Sequence, residues 1–196
     1  RLNAGIGDRE DWRFFAPDAL PLTLFEPGAQ RPETVFSSGW NMLRDRAVQN
    51  SSLKNNQQLA GWGFGVHAPT ELHVPLHPIV TGVRCRVGLD EVVGPGGCVR
   101  AAMALSNSPQ SPFYRSDQMI GSLKTIDTNW INIPGRSDPS IQLVLIADPS
   151  INERPKGADP YDIRDCLNWM EPEWRVDRAK LEFEILLSSP LFERVV

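Results

Sequence analysis

The chain has 196 residues, a net charge of −4 and an apolar share of 41%. A chain of this length can bury about 70% of the surface that its unfolded form exposes, so one core needs neither disulfides nor metal ions. The mild negative charge excludes an electrostatic attraction to nucleic acid or to an anionic membrane, and no apolar run approaches the ~20 residues of a membrane span. We therefore expect one main domain without a nucleic-acid or membrane partner.

The sequence begins with Arg1, and no charged-then-apolar signal pattern follows it. We expect the chain to be part of a longer protein. Its three cysteines, Cys85, Cys98 and Cys166, are an odd number without CxxC spacing and lie in apolar or strand-like sequence. This pattern predicts buried free thiols.

The first 31 residues differ in character from the rest. They begin with polar and charged residues and then contain a short apolar run, 19–25, bounded by prolines. This pattern predicts an N-terminal arm or appended strand over 1–31, with the main domain over 32–196.

A glycine-rich loop leads into an alternating strand over residues 61–77. Its glycines allow the backbone to turn and to approach other groups closely. From Leu72 onward, apolar residues occupy every second position, which predicts a strand with one buried and one solvated face. The side chains in this segment that suit a ligand are Trp62, His67 and Glu71.

The same two-residue period recurs along the rest of the chain, interrupted by turn-forming residues such as those at 94–97. It predicts antiparallel strands over 79–89, 99–105, 119–126, 130–133, 141–147 and 181–187, the fifth in a central position and the last closing the fold. The segment 148–178 lacks periodicity and predicts a long functional or flexible loop. The chain is therefore predicted to be an all-β sandwich or barrel.

Four segments occur in the order and spacing of one family. They are His-Ala-Pro-Thr-Glu-Leu at 67–72, Val-Gly-Leu-Asp-Glu at 87–91, Gly-Gly-Cys-Val at 96–99 and Asp-Cys-Leu-Asn-Trp-Met-Glu-Pro at 165–172. Over about residues 34–187 the chain resembles the NPCBM domain, a relative of the galactose-binding-like and malectin-like sandwiches. It departs from the family pattern at 1–31, which has no counterpart, and at 152–165, where the loop is longer.

The resemblance implies an antiparallel jelly-roll β-sandwich that is non-catalytic and that binds carbohydrate, in characterised relatives of galactose type. It further implies attachment to other domains of a larger protein and a secreted or cell-envelope location. The resemblance places three further residues at the end of the sandwich that carries the glycine-rich loop. The candidate carbohydrate-binding residues are then Trp62, His67, Glu71, Asp90, Asp165 and Trp169.

Each candidate also has a purely structural interpretation. A sugar site needs a flat apolar surface and polar partners for the hydroxyls, yet His67 and Glu71 can equally fix the glycine loop. Asp90 can cap backbone N–H groups, and Trp169 can lie buried under the rim. Trp130 has outward parity and is an alternative platform for a sugar ring.

Metal binding has weak support. The histidines at 67, 73 and 77 share parity, but prolines break the strand register between and after the last two, which disfavours zinc. We predict no cofactor, with a structural calcium ion as the weak alternative. The loop carboxylates that could hold calcium are Asp148, Asp159, Asp162 and Asp165.

The sequence offers no catalytic motif of the GxSxG, HExxH or phosphate-loop kind, so we predict no enzyme activity. The rival to carbohydrate binding is a structural or protein-interaction module of a larger secreted protein. In that case the segment 148–178 would be the docking surface.

Overall fold

The computed structural model describes residues 18–30, 40–136 and 138–187. Within them the chain forms fifteen strands and one α-helix. The strands are β1 (Ala19–Pro21), β2 (Gly28–Gln30), β3 (Leu43–Arg44), β4 (Lys54–Asn55), β5 (Gln58–Leu59), β6 (Gly63–His67), β7 (Thr70–Pro75), β8 (Val80–Leu89), β9 (Cys98–Leu105), β10 (Tyr114–Arg115), β11 (Met119–Ile120), β12 (Thr125–Asp127), β13 (Ile131–Asn132), β14 (Gln142–Asp148) and β15 (Cys166–Val176). The helix is α1 (Arg178–Leu187).

Two antiparallel sheets make up the fold. The seven-stranded sheet has the order β12-β8-β15-β6-β3, with β1 also paired to β15 and β13 to β8. The six-stranded sheet has the order β10-β9-β14-β7-β2, with β11 also paired to β9, and β4 and β5 form a separate hairpin. The predicted all-β antiparallel sandwich is confirmed.

One hydrophobic core joins the two sheets. Phe64 and Val87 from the seven-stranded sheet and Leu72, Met103 and Leu145 from the six-stranded sheet belong to a single buried cluster. The alternation predicted for the strands at 72–76, 79–89 and 99–105 is confirmed, because one face of each strand is buried in this cluster. The strand at 141–147 is also confirmed in its central position, since β14 pairs with both β7 and β9.

The longest strand, β15, lies in the segment predicted to be a loop. It pairs with β1, β6 and β8, so it stands in the middle of the seven-stranded sheet. Nine of its eleven residues are buried, on both faces of the sheet, and this removes the alternation that identifies a half-buried strand. Of the predicted 148–178 loop, about the first half lacks regular strands.

The prediction of a closing strand at 181–187 is wrong, because these residues lie in α1. Asp177 begins the helix, since its carboxylate accepts the Lys180 N–H at 3.3 Å and its carbonyl accepts the Leu181 N–H at 3.0 Å. An i,i+4 pair of Arg178 with Glu182 at 2.7 Å adds further local support. In the described part of the chain, no helix has the length and apolar character to cross a membrane.

The predicted strand at 119–126 is two short strands, β11 and β12. The break falls at Gly121, which has a positive φ of 64° and packs against Pro95 of the neighbouring turn. A continuous strand cannot pass through this conformation.

The described part of the predicted arm, residues 18–30, adds a strand to each sheet. β1 pairs with β15 and β2 pairs with β7, while Leu22 between them is fully buried in the core. Residues 1–17 and 31 of the predicted arm lie outside the described residues. The division into an arm and a main domain remains a prediction.

Candidate functional site

Two of the three glycines in the 61–65 loop serve packing. A Cβ on Gly63, whose φ is +149°, would overlap the carbonyl oxygen of Trp169. A Cβ on Gly65 would lie 2.5 Å from the backbone of Ala47. Nothing lies within 4 Å of the corresponding position on Gly61, so this glycine alone faces open space. The close approach predicted for the motif is therefore made to the protein's own backbone.

His67, at the end of β6, is 3% exposed. Its ring packs against Trp40, with the ring centroids 4.8 Å apart and a tilt of 48°. This burial fits a structural role for His67, and the ring contact is with Trp40. Glu71, by contrast, lies on the outer face of β7, where its side chain is 38% exposed and 3.4 Å from His73.

Asp90 is buried, and both of its carboxylate oxygens accept hydrogen bonds from protein groups. Its carboxylate accepts the Val92 N–H at 3.1 Å, which caps the short 3₁₀ turn that follows, and the Asn168 side-chain amide at 2.7 Å. Burial raises the pKa of this carboxyl, and the bonds from Asn168 and Val92 oppose the rise. The expectation that Asp90 contacts a sugar is thus corrected, because its oxygens already hold the turn together.

Asp165 is likewise sealed inside the protein. One carboxylate oxygen accepts the Cys98 N–H at 2.8 Å, and the other pairs with the Arg154 guanidinium. Burial raises the pKa of Asp165 to about 6, although the Cys98 N–H and the Arg154 charge both lower it. Neither oxygen is left for a ligand, so the predicted sugar contact is corrected here as well.

Trp169 has an exposure of 0% and belongs to the core between the sheets. A side chain with no solvent-facing surface cannot stack on a sugar ring. The structure therefore corrects the prediction for Trp169 and favours its structural interpretation, with the indole filling the sandwich beside β6 and β8.

Three of the four aspartates considered for calcium are next to arginines. Asp165 pairs with Arg154, Asp159 pairs with Arg164, and Asp148 lies 3.8 Å from Arg115. Across residues 18–30, 40–136 and 138–187, no three His, Cys, Asp or Glu side chains form a group that could hold a metal ion. The calcium alternative has no support in this part of the chain.

Trp62 remains partly exposed, next to a β-bulge in β15. The pairing of β15 with β8 shifts register between Met170 and Glu173, and Glu171 has a φ of +50°. A non-glycine residue in this conformation is strained, and bulges of this kind redirect a side chain out of the sheet pattern. The Glu171 N–H donates to the Trp62 carbonyl at 3.0 Å, which ties the bulge to the tryptophan backbone.

The redirected carboxylate of Glu171 has fixed partners. It accepts the Arg86 guanidinium at 2.8 Å and the Gly61 N–H at 3.4 Å. Arg86 also donates to the Gln58 side-chain oxygen at 2.9 Å, so one guanidinium bridges the hairpin and the bulge. We call this partly exposed group the bulge cluster; it consists of Gln58, Trp62, Arg86 and Glu171.

A second aromatic group lies on the outer face of the seven-stranded sheet. Trp130 is partly exposed, with the guanidinium carbon of Arg84 at 4.6 Å and that of Arg175 at 5.5 Å from the ring centroid. Arg84 in turn bonds Glu173 at 2.6 Å. Because cations already cover the ring, Trp130 is a poorer sugar platform than Trp62.

The six predicted residues do not meet on one surface. Trp62 is partly exposed beside the bulge in β15, Glu71 lies on the outer face of the six-stranded sheet, and the other four are buried. Gln58, Arg86 and Glu171 were not among the predicted residues. The outward parity of Arg86 and the Glu171-Pro172 pair, which interrupts a strand, were the available signals.

Several solved structures are similar to this chain. A CBM51 from a Clostridium perfringens GH95 protein, in complex with methyl-galactose, has a TM-score of 0.60 and 16% identity over 80% of this chain and 99% of that one. CBM51-2 with INT domains of ZmpB from the same organism, in complex with GlcNAc, has a TM-score of 0.63 and 16% identity over 81% of this chain and 31% of that one. The ZmpB M60 catalytic domain with CBM51-1 and CBM51-2 has a TM-score of 0.61 and 15% identity over 81% of this chain and 15% of that one.

This chain thus spans about a third or less of the ZmpB chains that it matches. No protein-family model matches the chain, and no curated protein sequence does so either. The similarities establish the galactose-binding-like sandwich fold, whereas the NPCBM assignment itself stays a prediction.

Proposed function

We propose that this chain is a non-catalytic carbohydrate-binding module and that the bulge cluster holds the sugar. The observation that carries the proposal is a partly exposed tryptophan beside a fixed arginine–carboxylate pair, on a sandwich with the fold of CBM51 modules. One of those neighbours was solved with methyl-galactose, and its match covers 80% of this chain and 99% of that one.

The chemistry of the cluster suits a pyranose. The Trp62 indole supplies a flat apolar surface for the C–H face of the ring. Arg86 donates hydrogen bonds, while Glu171 and Gln58 supply acceptors for hydroxyl groups. A hydroxyl that loses water without a partner costs about 1–3 kcal/mol, so this supply of donors and acceptors decides whether the sugar binds.

The cluster is also arranged before any ligand arrives. The strained backbone at Glu171 is held by the pairing of β15 on both sides, and Arg86 is held at two points. Side chains that are already ordered lose little further entropy on binding. Even so, a single shallow site yields on the order of −4 kcal/mol, a millimolar dissociation constant.

Such weak binding is useful when the module is joined to other domains or repeated, because linkage raises the effective concentration. The proposal therefore includes attachment to a larger protein, in line with the ZmpB neighbours, in which CBM51 modules occur beside other domains. It also includes a secreted or cell-envelope location, where glycans are accessible. A galactose-type sugar is the first ligand to test.

Titration of the protein with methyl-galactose and GlcNAc, followed by NMR, tests the proposal. We expect the Trp62→Ala and Glu171→Gln variants to bind at least tenfold more weakly than the wild type. Trp130→Ala is the matched control, since it also removes a partly exposed indole, and its affinity should stay within twofold of the wild type. Wild-type affinity in Trp62→Ala, or no binding by the wild type to a broad glycan panel, would refute the proposal.

A second candidate function, protein docking, is favoured by a group of exposed apolar side chains. Ser122 and Arg164 both donate hydrogen bonds to the turn at Val93–Gly94, so their chain neighbours lie at the same end of the sandwich. We call these side chains the apolar tip; they are Val92, Leu123, Tyr161 and Ile163, all more than half exposed. This tip, rather than the whole segment 148–178, is the surface that could dock another domain.

Amide hydrogen exchange tests this second candidate function. If the apolar tip docks a neighbouring domain of the same longer protein, amides at 92–94 and 121–123 should exchange at least tenfold more slowly in that longer protein than in the isolated chain. Equal exchange rates in both would exclude intramolecular docking of the tip.

A further inference from the structure

A polar hollow lies on the outer face of the six-stranded sheet, across the sandwich from the bulge cluster. Its volume is about 640 Å³, within the range of about 300–1,000 Å³ that ligand pockets occupy. Arg100 and Arg115 enter it from β9 and β10, on the face opposite the core residues Val99 and Ala101. Its other polar lining residues are Asp117, Gln118 and Glu153.

One wall of the hollow is fixed by Ser116, which is itself buried. The Ser116 hydroxyl accepts the Ala101 N–H at 2.9 Å and donates to the Asp117 carbonyl at 2.7 Å. The Ser116 N–H donates to the Ala101 carbonyl at 2.8 Å. These three bonds hold the segment that presents Arg115, Asp117 and Gln118.

The opposite wall is the loop that carries Glu153 and Pro155, and Arg154 between them fixes it. The Arg154 side chain is 7% exposed, and its guanidinium donates to the carbonyls of Pro149, Asp159 and Tyr161 at 2.8–2.9 Å. It also pairs with the buried Asp165 carboxylate. A loop held at four points keeps its shape when the ligand is absent.

Two contacts join the walls. Arg100 pairs with the Glu153 carboxylate at 3.1 Å, and the Gln118 side-chain amide donates to the Glu153 carbonyl at 2.9 Å. Arg115, in contrast, forms a long ion pair with Asp148, at 3.8 Å, and its side chain is more than half exposed. It can therefore turn toward a ligand. The hollow therefore combines a rigid frame with one adaptable donor.

The charges of the hollow decide the ligand class. Two arginines face the carboxylates Asp117 and Glu153, and Asp148 lies 3.8 Å from Arg115, so the positive charges are fully balanced and a strongly anionic ligand meets repulsion as well as attraction. The walls offer donors and acceptors in similar numbers, as a polyhydroxylated ligand requires. Ile120, which is 37% exposed, and Pro155 add a small apolar surface for C–H groups.

We propose that this hollow is a second saccharide-binding site, which takes a neutral pyranose on the face opposite the bulge cluster. This inference rests on the proposed function in one respect, because the proposed function makes saccharides the first ligands to test. Two sites on opposite faces of one sandwich cannot be filled by the same short glycan. The module would therefore engage two glycan chains at once and gain avidity on a dense or branched carbohydrate surface.

NMR titration separates the two sites because each has its own reporter. The Trp62 indole N–H reports on the bulge cluster, and the Gln118 side-chain amide reports on the hollow. With neutral methyl-galactose or GlcNAc, we expect both signals to shift in the wild type. In the Arg115→Ala/Asp117→Ala double variant the Gln118 shift should weaken at least tenfold while the Trp62 shift is retained, and in Trp62→Ala the Gln118 shift should remain.

Exposed side chains were chosen for the double variant so that it folds, and Lys124→Ala, also at an exposed position, is the control that should bind as the wild type does. The second site is refuted if Gln118 stays unmoved in the wild type while Trp62 shifts. It is also refuted if a charged uronic acid binds the hollow at least tenfold more tightly than the neutral sugars. If Gln118 shifts but Trp62 does not, the hollow stands and the proposed function at the bulge cluster fails.

Discussion

At the scale of single residues, the buried pair of Arg154 and Asp165 organises the loop before β15. Arg154 donates hydrogen bonds to three backbone carbonyls of the loop, and Asp165 anchors the loop to the Cys98 N–H of β9. A buried ion pair adds little net stability compared with apolar packing, but breaking it leaves a buried charge. Its role is therefore to impose one conformation on a long loop.

Asp165 should make stability depend on pH. Its pKa is raised from 3.8 to about 6 in the folded state, so the folded protein binds the proton more tightly than the unfolded chain does. The resulting stabilisation is complete below pH 4 and is lost as the pH rises to about 6. We expect the free energy of unfolding of the wild type to fall across this window, relative to Asp165→Asn, by about 3 kcal/mol.

Urea unfolding of both proteins at pH 3.5, 5 and 7 measures this difference. A difference that stays constant over the three pH values would show that Asp165 does not titrate in this range.

The glycine-rich loop offers a matched pair of substitutions. Gly65→Ala should lower the free energy of unfolding by about 2–3 kcal/mol, because its Cβ would lie within 2.5 Å of the Ala47 and Val48 backbones. Gly61→Ala meets nothing within 4 Å and should change it by less than about 0.5 kcal/mol. Chemical denaturation checks both values, and equal effects of the two variants would contradict the assigned packing.

At the scale of elements, β15 links the core to the candidate site. Its inward face carries Trp169 between the sheets, and its outward bulge presents Glu171 to Arg86. The β4–β5 hairpin covers another part of the outward face, where Leu53 and Ala60 pack on Met170. One strand thus determines both the packing of the interior and the position of a solvent-facing carboxylate.

Two tryptophans, Trp169 in β15 and Trp62 beside its bulge, should differ in what their substitution changes. Trp169→Ala should cost about 3–5 kcal/mol of the free energy of unfolding, because it leaves a large cavity in the core. Trp62→Ala should cost less than about 1 kcal/mol while it weakens sugar binding. Denaturant titration provides the first measurement and NMR titration the second; a large stability loss in Trp62→Ala would place its indole in the core instead.

At the scale of the whole molecule, the reactivity of the three free cysteines measures how often the protein unfolds. The expectation of buried free thiols is confirmed, and they lie in both sheets, Cys85 and Cys166 in one and Cys98 in the other. Burial raises the pKa of Cys166 to about 12 and also raises the pKa of Cys98. The thiolate, which is the reactive form, is therefore scarce at neutral pH.

We expect a thiol reagent to modify the native protein only at the rate of unfolding, and a reducing agent to leave its melting temperature unchanged. The absorbance of the group that the reagent releases measures the rate of modification, and a thermal scan measures the melting temperature. Rapid modification of any of the three cysteines in the native protein would contradict their burial.

The sandwich, the inward faces of β7, β8 and β9 and the central position of β14 could all be predicted from the sequence. In β7, β8 and β9 the core face alternates with polar or small residues, a two-residue period that depends only on local backbone geometry, whereas β14 is recognised as a continuous apolar run. The free thiols were also predictable, because cysteine count and spacing are properties of the chain.

The accessibility of the candidate residues, in contrast, depends on long-range packing. The burial of Asp90, Asp165 and Trp169 depends on elements that are distant in sequence and fold over them. The same holds for β15, whose alternation disappears because a core covers one face and a hairpin covers part of the other. The bulge that redirects Glu171 arises from pairing with β8, about 85 residues earlier in the chain. The Glu171-Pro172 pair marks an interruption of the strand, but the direction of the Glu171 side chain depends on this long-range register.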